Sequence, residues 1–203
     1  MSDILGGMSG GGESPYLKWK TGDMSFHNGD SPLEFQYLQL DPATFLSGWG
    51  AYKQVSGYDF VWDKKFGVPE NKPDNDYKRA FSAWVLPQGL SRPLLWQNMT
   101  FAETQAFNKI LALFWNDKDK NGDLLPVVKF TGAKKLQVGL GQSSELSFEF
   151  AKFAPRSNEF VIPSWYYEDN DTSDVKGNDG LSDLVNKQIN DNNDLLTDSD
   201  IPF

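Results

Sequence analysis

Aromatic rings and cationic side chains recur together in short blocks of this chain. Lys18-Trp19-Lys20 is the first block. Trp49, Tyr52 and Lys53 follow in the glycine-containing stretch SGWGAYKQVSGY, then Trp62, Lys64, Lys65 and Phe66, then Tyr77, Lys78 and Arg79, and finally Lys134 and Lys135. Flat rings accept stacked bases and cations follow phosphates, so this interleaving suits sequence-tolerant binding of an unpaired nucleic-acid strand. A second reading competes at every position. A strand tryptophan commonly belongs to a core, as expected for Trp84 and Trp96, and turn lysines, the expectation for Lys134 and Lys135, are commonly just solvated. Trp49 and Tyr52, flanked by Gly48 and Gly50, read as a binding loop and are the leading aromatic candidates.

Other chemistry is thinly represented. Asp117, Asp119, Asn121, Gly122 and Asp123 form D-K-D-K-N-G-D, which resembles the first half of an EF-hand calcium loop. Position twelve of that loop is Val128 where a bidentate glutamate belongs, so a polar helix-to-strand turn is the competing and favoured reading. With one histidine (His27), no cysteine and no phosphate-cradling glycine motif, catalysis is not expected and no cofactor is called for. A nuclease using the Asp117 region ranks below the binding readings.

The last residues read D-L-L-T-D-S-D-I-P-F. Phe203 would offer a ring and a carboxylate on one residue, which an apolar pocket rimmed by Arg or Lys grips at two points. Pro202 lowers the ordering cost of docking, Ile201 fills a second apolar spot, and Asp198 and Asp200 steer the peptide toward a basic surface. Asp200-Ile201-Pro202-Phe203, preceded by an acidic linker, resembles the tail of bacterial single-stranded DNA-binding proteins. The resemblance covers about the last six residues, with the linker alike in composition only. It implies an OB-fold body that coats single-stranded DNA and a tip that recruits replication, recombination and repair proteins. A divergent, bacteriophage-encoded member would have such a tail on an otherwise unfamiliar body. The competing reading is an adaptor or inhibitor that carries the tail to host replication proteins without binding DNA. A homo-oligomer stays open.

Charge divides along the same line. Ten acidic and two basic residues fall at 168–203, which leaves the first 167 residues at −1 out of a total of −9. The low isoelectric point of 4.6 therefore belongs to a tail, and the nearly neutral body must rely on local cation clusters to hold a polyanion. Residues 1–14 are rich in Gly and Ser and read as a flexible arm. Residues 15–167 hold nearly all the aromatics and read as the folded body. Residues 168–203 are too polar to offset their ordering entropy and read as disordered. No basic start, apolar run or span-length segment is visible, so a cytoplasmic setting is expected, in the host if the source is viral.

The elements that must position these side chains read mainly as β. Strands are expected over 16–26 and 33–40 around the turn signal HNGD, then over 58–62, 77–86, 93–96, 127–130, 136–140, 145–153 and 159–162. One helix interrupts them. Thr100 and Glu103 have the spacing of a capping box, and Phe107, Ile110, Leu111 and Phe114 make one apolar face. Strands, one helix and more strands predict a mainly β, OB-fold-like small barrel capped by a helix.

Overall fold

A computed structural model describes residues 14–139, 141–164 and 166 of the chain. Ten strands alternate with short turns and one α-helix: β1 (Tyr16–Lys20), β2 (Ser25–Asn28), β3 (Ser31–Leu33), β4 (Tyr37–Leu40), β5 (Leu46–Lys53), β6 (Gly57–Trp62), β7 (Lys78–Pro87), β8 (Leu94–Asn98), α1 (Phe101–Phe114), β9 (Leu125–Val138) and β10 (Gly141–Ala154). All ten join one sheet in the order β10-β9-β4-β7-β8-β1-β2-β3, with β5 paired to β7 and β6. Every pairing is antiparallel except β1 with β8, which is parallel.

The sheet curls into a half-barrel, because its two ends meet through side chains. Ser144 Oγ of β10 lies 3.3 Å from Thr21 Oγ1 after β1. Phe130 of β9 meets Phe26 of β2 edge-on, with centroids 5.3 Å apart. Helix α1 lies inside the curl. Phe107 stacks on Phe81 of β7 at 4.3 Å, while Phe114 meets Phe153 of β10 edge-on at 6.5 Å. Ala106, Phe107, Ile110, Leu111 and Phe114 are buried at the expected 3.6-residue spacing. Each such aromatic or aliphatic side chain stabilises the fold by roughly 1.5–3 kcal/mol relative to exposure.

Strand β7 is buried on both faces. Phe81, Ala83 and Val85 enter the main core inside the curl, together with α1. Trp84 and Leu86 enter a smaller cluster on the outer side, with Leu95, Leu125, Phe160 and Tyr166. The chain beyond β10 runs over this outer cluster as an irregular strap, described over 155–164 and at Tyr166, in place of the strand expected at 159–162.

Other expected strands are re-divided. Residues 16–26 form two strands of a hairpin, β1 and β2, turned at 21–24. Residues 33–40 break at 34–36, because β3 lies at one edge while β4 lies between β9 and β7. Residues 127–130 and 136–140 merge into the 14-residue strand β9. Gly132 permits the join, with φ of 132° beside an irregularity in the β9–β10 register. Lys134 and Lys135 thus lie within a strand, not in a turn.

Candidate nucleic-acid interface

Alternation along β6 sends Tyr58, Phe60 and Trp62 to one face of the β5–β6 hairpin. Their cross-strand partners on β5 are Tyr52, Gly50 and Gly48 respectively. Phe60 and Trp62 are parallel within 5°, with centroids 5.2 Å apart. Tyr58 and Phe60 are parallel within 16° at 6.2 Å. Tyr52 closes the row, edge-on to Tyr58 at 5.4 Å.

Two glycines make the row possible. A β-carbon on Gly48 would lie 2.9 Å from the Trp62 ring, and one on Gly50 would lie 2.8 Å from the Phe60 ring. The rings occupy the space that side chains of β5 would otherwise fill. Tyr52 and Tyr58, at 62% and 63% exposure, offer their rings to solvent, while Phe60 and Trp62 are half-buried.

Register carries this face across the sheet. Gly50 pairs with Lys78 and Gly48 with Ala80 on β7. Ser82 pairs with Gln97 on β8, and β8 runs beside β1, with Leu95 opposite Tyr16. Lys18 and Lys20 alternate with the buried Leu17 and Trp19, so they share the outer face with Tyr16. Lys18 leans over the Tyr16 ring at 5.6 Å, and Lys20 lies 3.8 Å from the exposed Asp30 carboxylate. Five of the expected residues (Lys18, Lys20, Tyr52, Trp62 and Lys78) therefore converge on one surface.

The other expected residues are drawn elsewhere by packing. Trp19 is buried, with its ring against Phe26 at 5.1 Å and Phe130 at 6.1 Å. Phe66 is buried against Phe45 and Trp115. Tyr77 is buried and donates to Asp59 Oδ2 at 2.5 Å, a bond that raises its phenol pKa because it favours the neutral form. Trp49 faces away from Tyr52, as the odd members of β5 must. It lies under the Arg79 guanidinium at 4.8 Å and donates from Nε1 to Glu70 O at 2.9 Å.

Arg79 also pairs with the buried Asp63 at 2.7 Å. Asp63 accepts in addition from Ser47 Oγ and Glu70 N, which ties down the loop between β6 and β7. Lys53 covers the Tyr77 ring at 4.8 Å. Lys64 lies 3.8 Å from Glu70, and Lys65 bridges Val68 within the same loop. Lys134 and Lys135 stand opposite Glu145 and Ser144 on the β9–β10 hairpin, away from the aromatic row. Tyr58 and Phe60 were missed as candidates, although the alternation in Y-D-F-V-W signals them.

The strand that carries Lys18 and Lys20 is held by a buried carboxylate. The β1–β8 ladder stops at Leu17 and Trp96. The next inward amide, Trp19 N, donates to Glu103 Oε1 at 3.1 Å. The same oxygen accepts from Trp96 Nε1 at 3.0 Å, and Oε2 accepts from Asn98 Nδ2 at 2.5 Å and Thr100 Oγ1 at 2.9 Å. Thr100 is the N-cap by backbone geometry but makes no side-chain cap bond. The backbone amide of Thr100 is satisfied by Asn98 Oδ1 instead. Glu103 is thus turned inward to join three elements and does not complete a capping box. Burial pushes its pKa up, while the bonds from Trp96, Trp19 N and Thr100 and the charge of Lys18 pull it back.

The acidic loop does not gather ligands. Asp117 pairs with Lys120 and Asp119 with Lys118, each at 2.6 Å, and Asn121 Nδ2 donates to Asp117 O. Residues Trp115–Asn121 form a 3-10 helix, and Asp123 follows in the turn into β9. Among the described residues no group of three His, Cys, Asp or Glu is placed to hold a metal ion. No described helix is long and apolar enough to cross a membrane. Asp198, Asp200, Ile201, Pro202 and Phe203 lie outside the described residues. Compared with known proteins, the chain matches no family model, no curated protein and no solved structure.

Proposed function

We propose that this chain is a non-enzymatic single-stranded DNA-binding protein whose outer sheet face holds the strand and whose acidic tip recruits replication, recombination or repair proteins. The observation that carries the reading is the ring row Tyr52, Tyr58, Phe60 and Trp62, continuous by register with Lys78, Lys18 and Lys20. Rings take bases by their faces, which every base has, and lysines take phosphates, so the face is suited to an unpaired strand of any sequence. A duplex hides its base faces and gains nothing from the row.

The topology supports an OB-fold-like reading. The order β10-β9-β4-β7-β8, with α1 between β8 and β9, supplies five strands and a helix in that path. OB barrels bind oligonucleotides on strands two and three and through the loops joining strands one to two and four to five. On this assignment β7 and β8 are strands two and three, and the β5–β6 hairpin lies within the first of those connections. The sequence of the tip, Asp198 to Phe203, supports recruitment through its resemblance to single-stranded DNA-binding tails.

Titration of the full chain with oligo(dT), followed by tryptophan fluorescence, tests the reading. Quenching that weakens as salt rises is expected. A flat signal in dilute buffer overturns DNA binding and leaves the adaptor reading in its place.

A further inference from the structure

The outer face is not open from end to end. Toward the start of β5 it is covered by the strap, 155–164 with Tyr166. Gln39 holds the strap by both ends of its amide: Nε2 donates to Pro155 O at 2.8 Å and Oε1 accepts from Ser157 N at 3.1 Å. Arg156 pairs with the buried Asp41 at 2.5 Å. Phe160 fills the outer cluster beside Leu86 and Leu95. Tyr166 stands edge-on to Trp84 at 5.5 Å and donates to Thr44 O at 3.0 Å.

The covered residues belong to the same face as the ring row. Leu46 is two residues before Gly48 on β5 and packs against the outer cluster. Trp84 is two residues after Ser82 on β7, and its partner Leu95 is two before Gln97 on β8. The face thus divides into an open half, bearing Tyr52, Tyr58, Phe60, Trp62, Lys78, Lys18 and Lys20, and a half sealed by the strap.

We infer that the strap is a fixed stop that ends the single-strand track at Leu46, Trp84 and Leu95, so that each chain occludes a short footprint. The inference rests on the proposed function and adds the boundary of its site. Four separate anchors, all on buried partners (Gln39, Asp41, Leu86 with Leu95, and Trp84), hold the strap against displacement by a strand that gains nothing from apolar Leu95 and Leu46. The footprint falls at the low end of the roughly 4–16 nucleotides that one OB barrel occupies.

The test is the number of nucleotides occluded per full-length chain on poly(dT), measured by fluorescence titration for the unaltered protein, for Arg156→Gln and for Phe160→Ala. Release of the strap exposes about 10 Å of face across β5, β7 and β8 and is expected to lengthen the footprint by about two nucleotides. The Arg156 side chain is 43% exposed, and glutamine keeps a donor for the buried Asp41 carboxylate, so this replacement opens no apolar cavity. An unchanged footprint in both variants overturns the stop. Hydrogen exchange of the unaltered chain gives a reading independent of substitution. The amides of Ser157 and Phe160 are expected to stay protected when poly(dT) saturates the protein, and their loss of protection overturns a fixed strap. Failure of the unaltered chain to bind poly(dT) is a different result, and it overturns the proposed function and the stop together.

Discussion

The Phe60 ring lies directly over Gly50, so close that a β-carbon on the glycine would sit 2.8 Å from the ring. The ring row of β6 therefore depends on what β5 lacks. Gly50→Val is expected to push Phe60 off the strand, with an overpacking cost of about 1–3 kcal/mol in stability and a loss of oligo(dT) affinity. Gly22→Ala, where the added carbon meets open space, serves as the control and should change neither. Thermal unfolding and fluorescence titration of both variants check this.

Removing the exposed rings tests the row itself. Tyr52→Ala and Tyr58→Ala are each expected to cost about 1–3 kcal/mol of binding, or roughly 5- to 150-fold in affinity, with little change in unfolding temperature. Trp49→Phe should do the reverse, because Trp49 holds the Glu70 loop from the other face. It lowers stability and leaves affinity unchanged. Equal effects of Trp49 and Tyr58 substitutions on affinity would count against the assignment of faces.

The lysines predict a salt signature. Lys18→Ala, Lys20→Ala and Lys78→Ala should each reduce the slope of log affinity against log salt by about 0.7, the value for one phosphate contact on a single strand. Lys53, engaged over Tyr77 on the opposite face, should leave the slope unchanged when replaced by alanine. Titrations at four or more salt concentrations measure this.

Glu103 makes stability depend on pH. Burial raises its native pKa above the ordinary glutamate value of 4.5. A raised acid binds its proton more tightly in the folded chain, so this contribution is complete below the ordinary glutamate range and is lost as pH rises through the native pKa. Glu103→Gln is expected to flatten that decline when denaturant midpoints are followed upward from pH 4. Glu103→Ala leaves the donors of Trp19, Trp96, Asn98 and Thr100 without their acceptor and should destabilise by more than about 3 kcal/mol, since each buried donor left unmatched costs about 1–3 kcal/mol.

Much of the architecture was legible in local pattern. The segments 58–62 and 77–86, read as strands, lie within a residue of β6 and β7, and the spacing of Phe107, Ile110, Leu111 and Phe114 announced the buried face of α1. Turn chemistry was partly legible. HNGD marked the β2–β3 turn, but the turn after Lys20 and the bend at 34–36 passed unseen, because each is set by where the next strand finds its partner. Residues 159–162 of the strap were read as a strand for the same reason: the strap's apolar residues fill an outer cluster that exists only once β7 and β8 stand together.

The sequence by itself determined which residues can stack and which can pair with phosphate, because those are properties of side chains: Trp, Tyr, Phe and Lys in interleaved blocks, with an anionic tail set apart from a nearly neutral body. Tertiary structure alone decided which of them share a surface. A strand sends successive residues to opposite faces, so Trp49 and Tyr52 part company while Lys18 joins Lys78 across two intervening pairings. Which face becomes core depends on α1 filling the inside of the curl, a contact between distant segments that no local pattern contains.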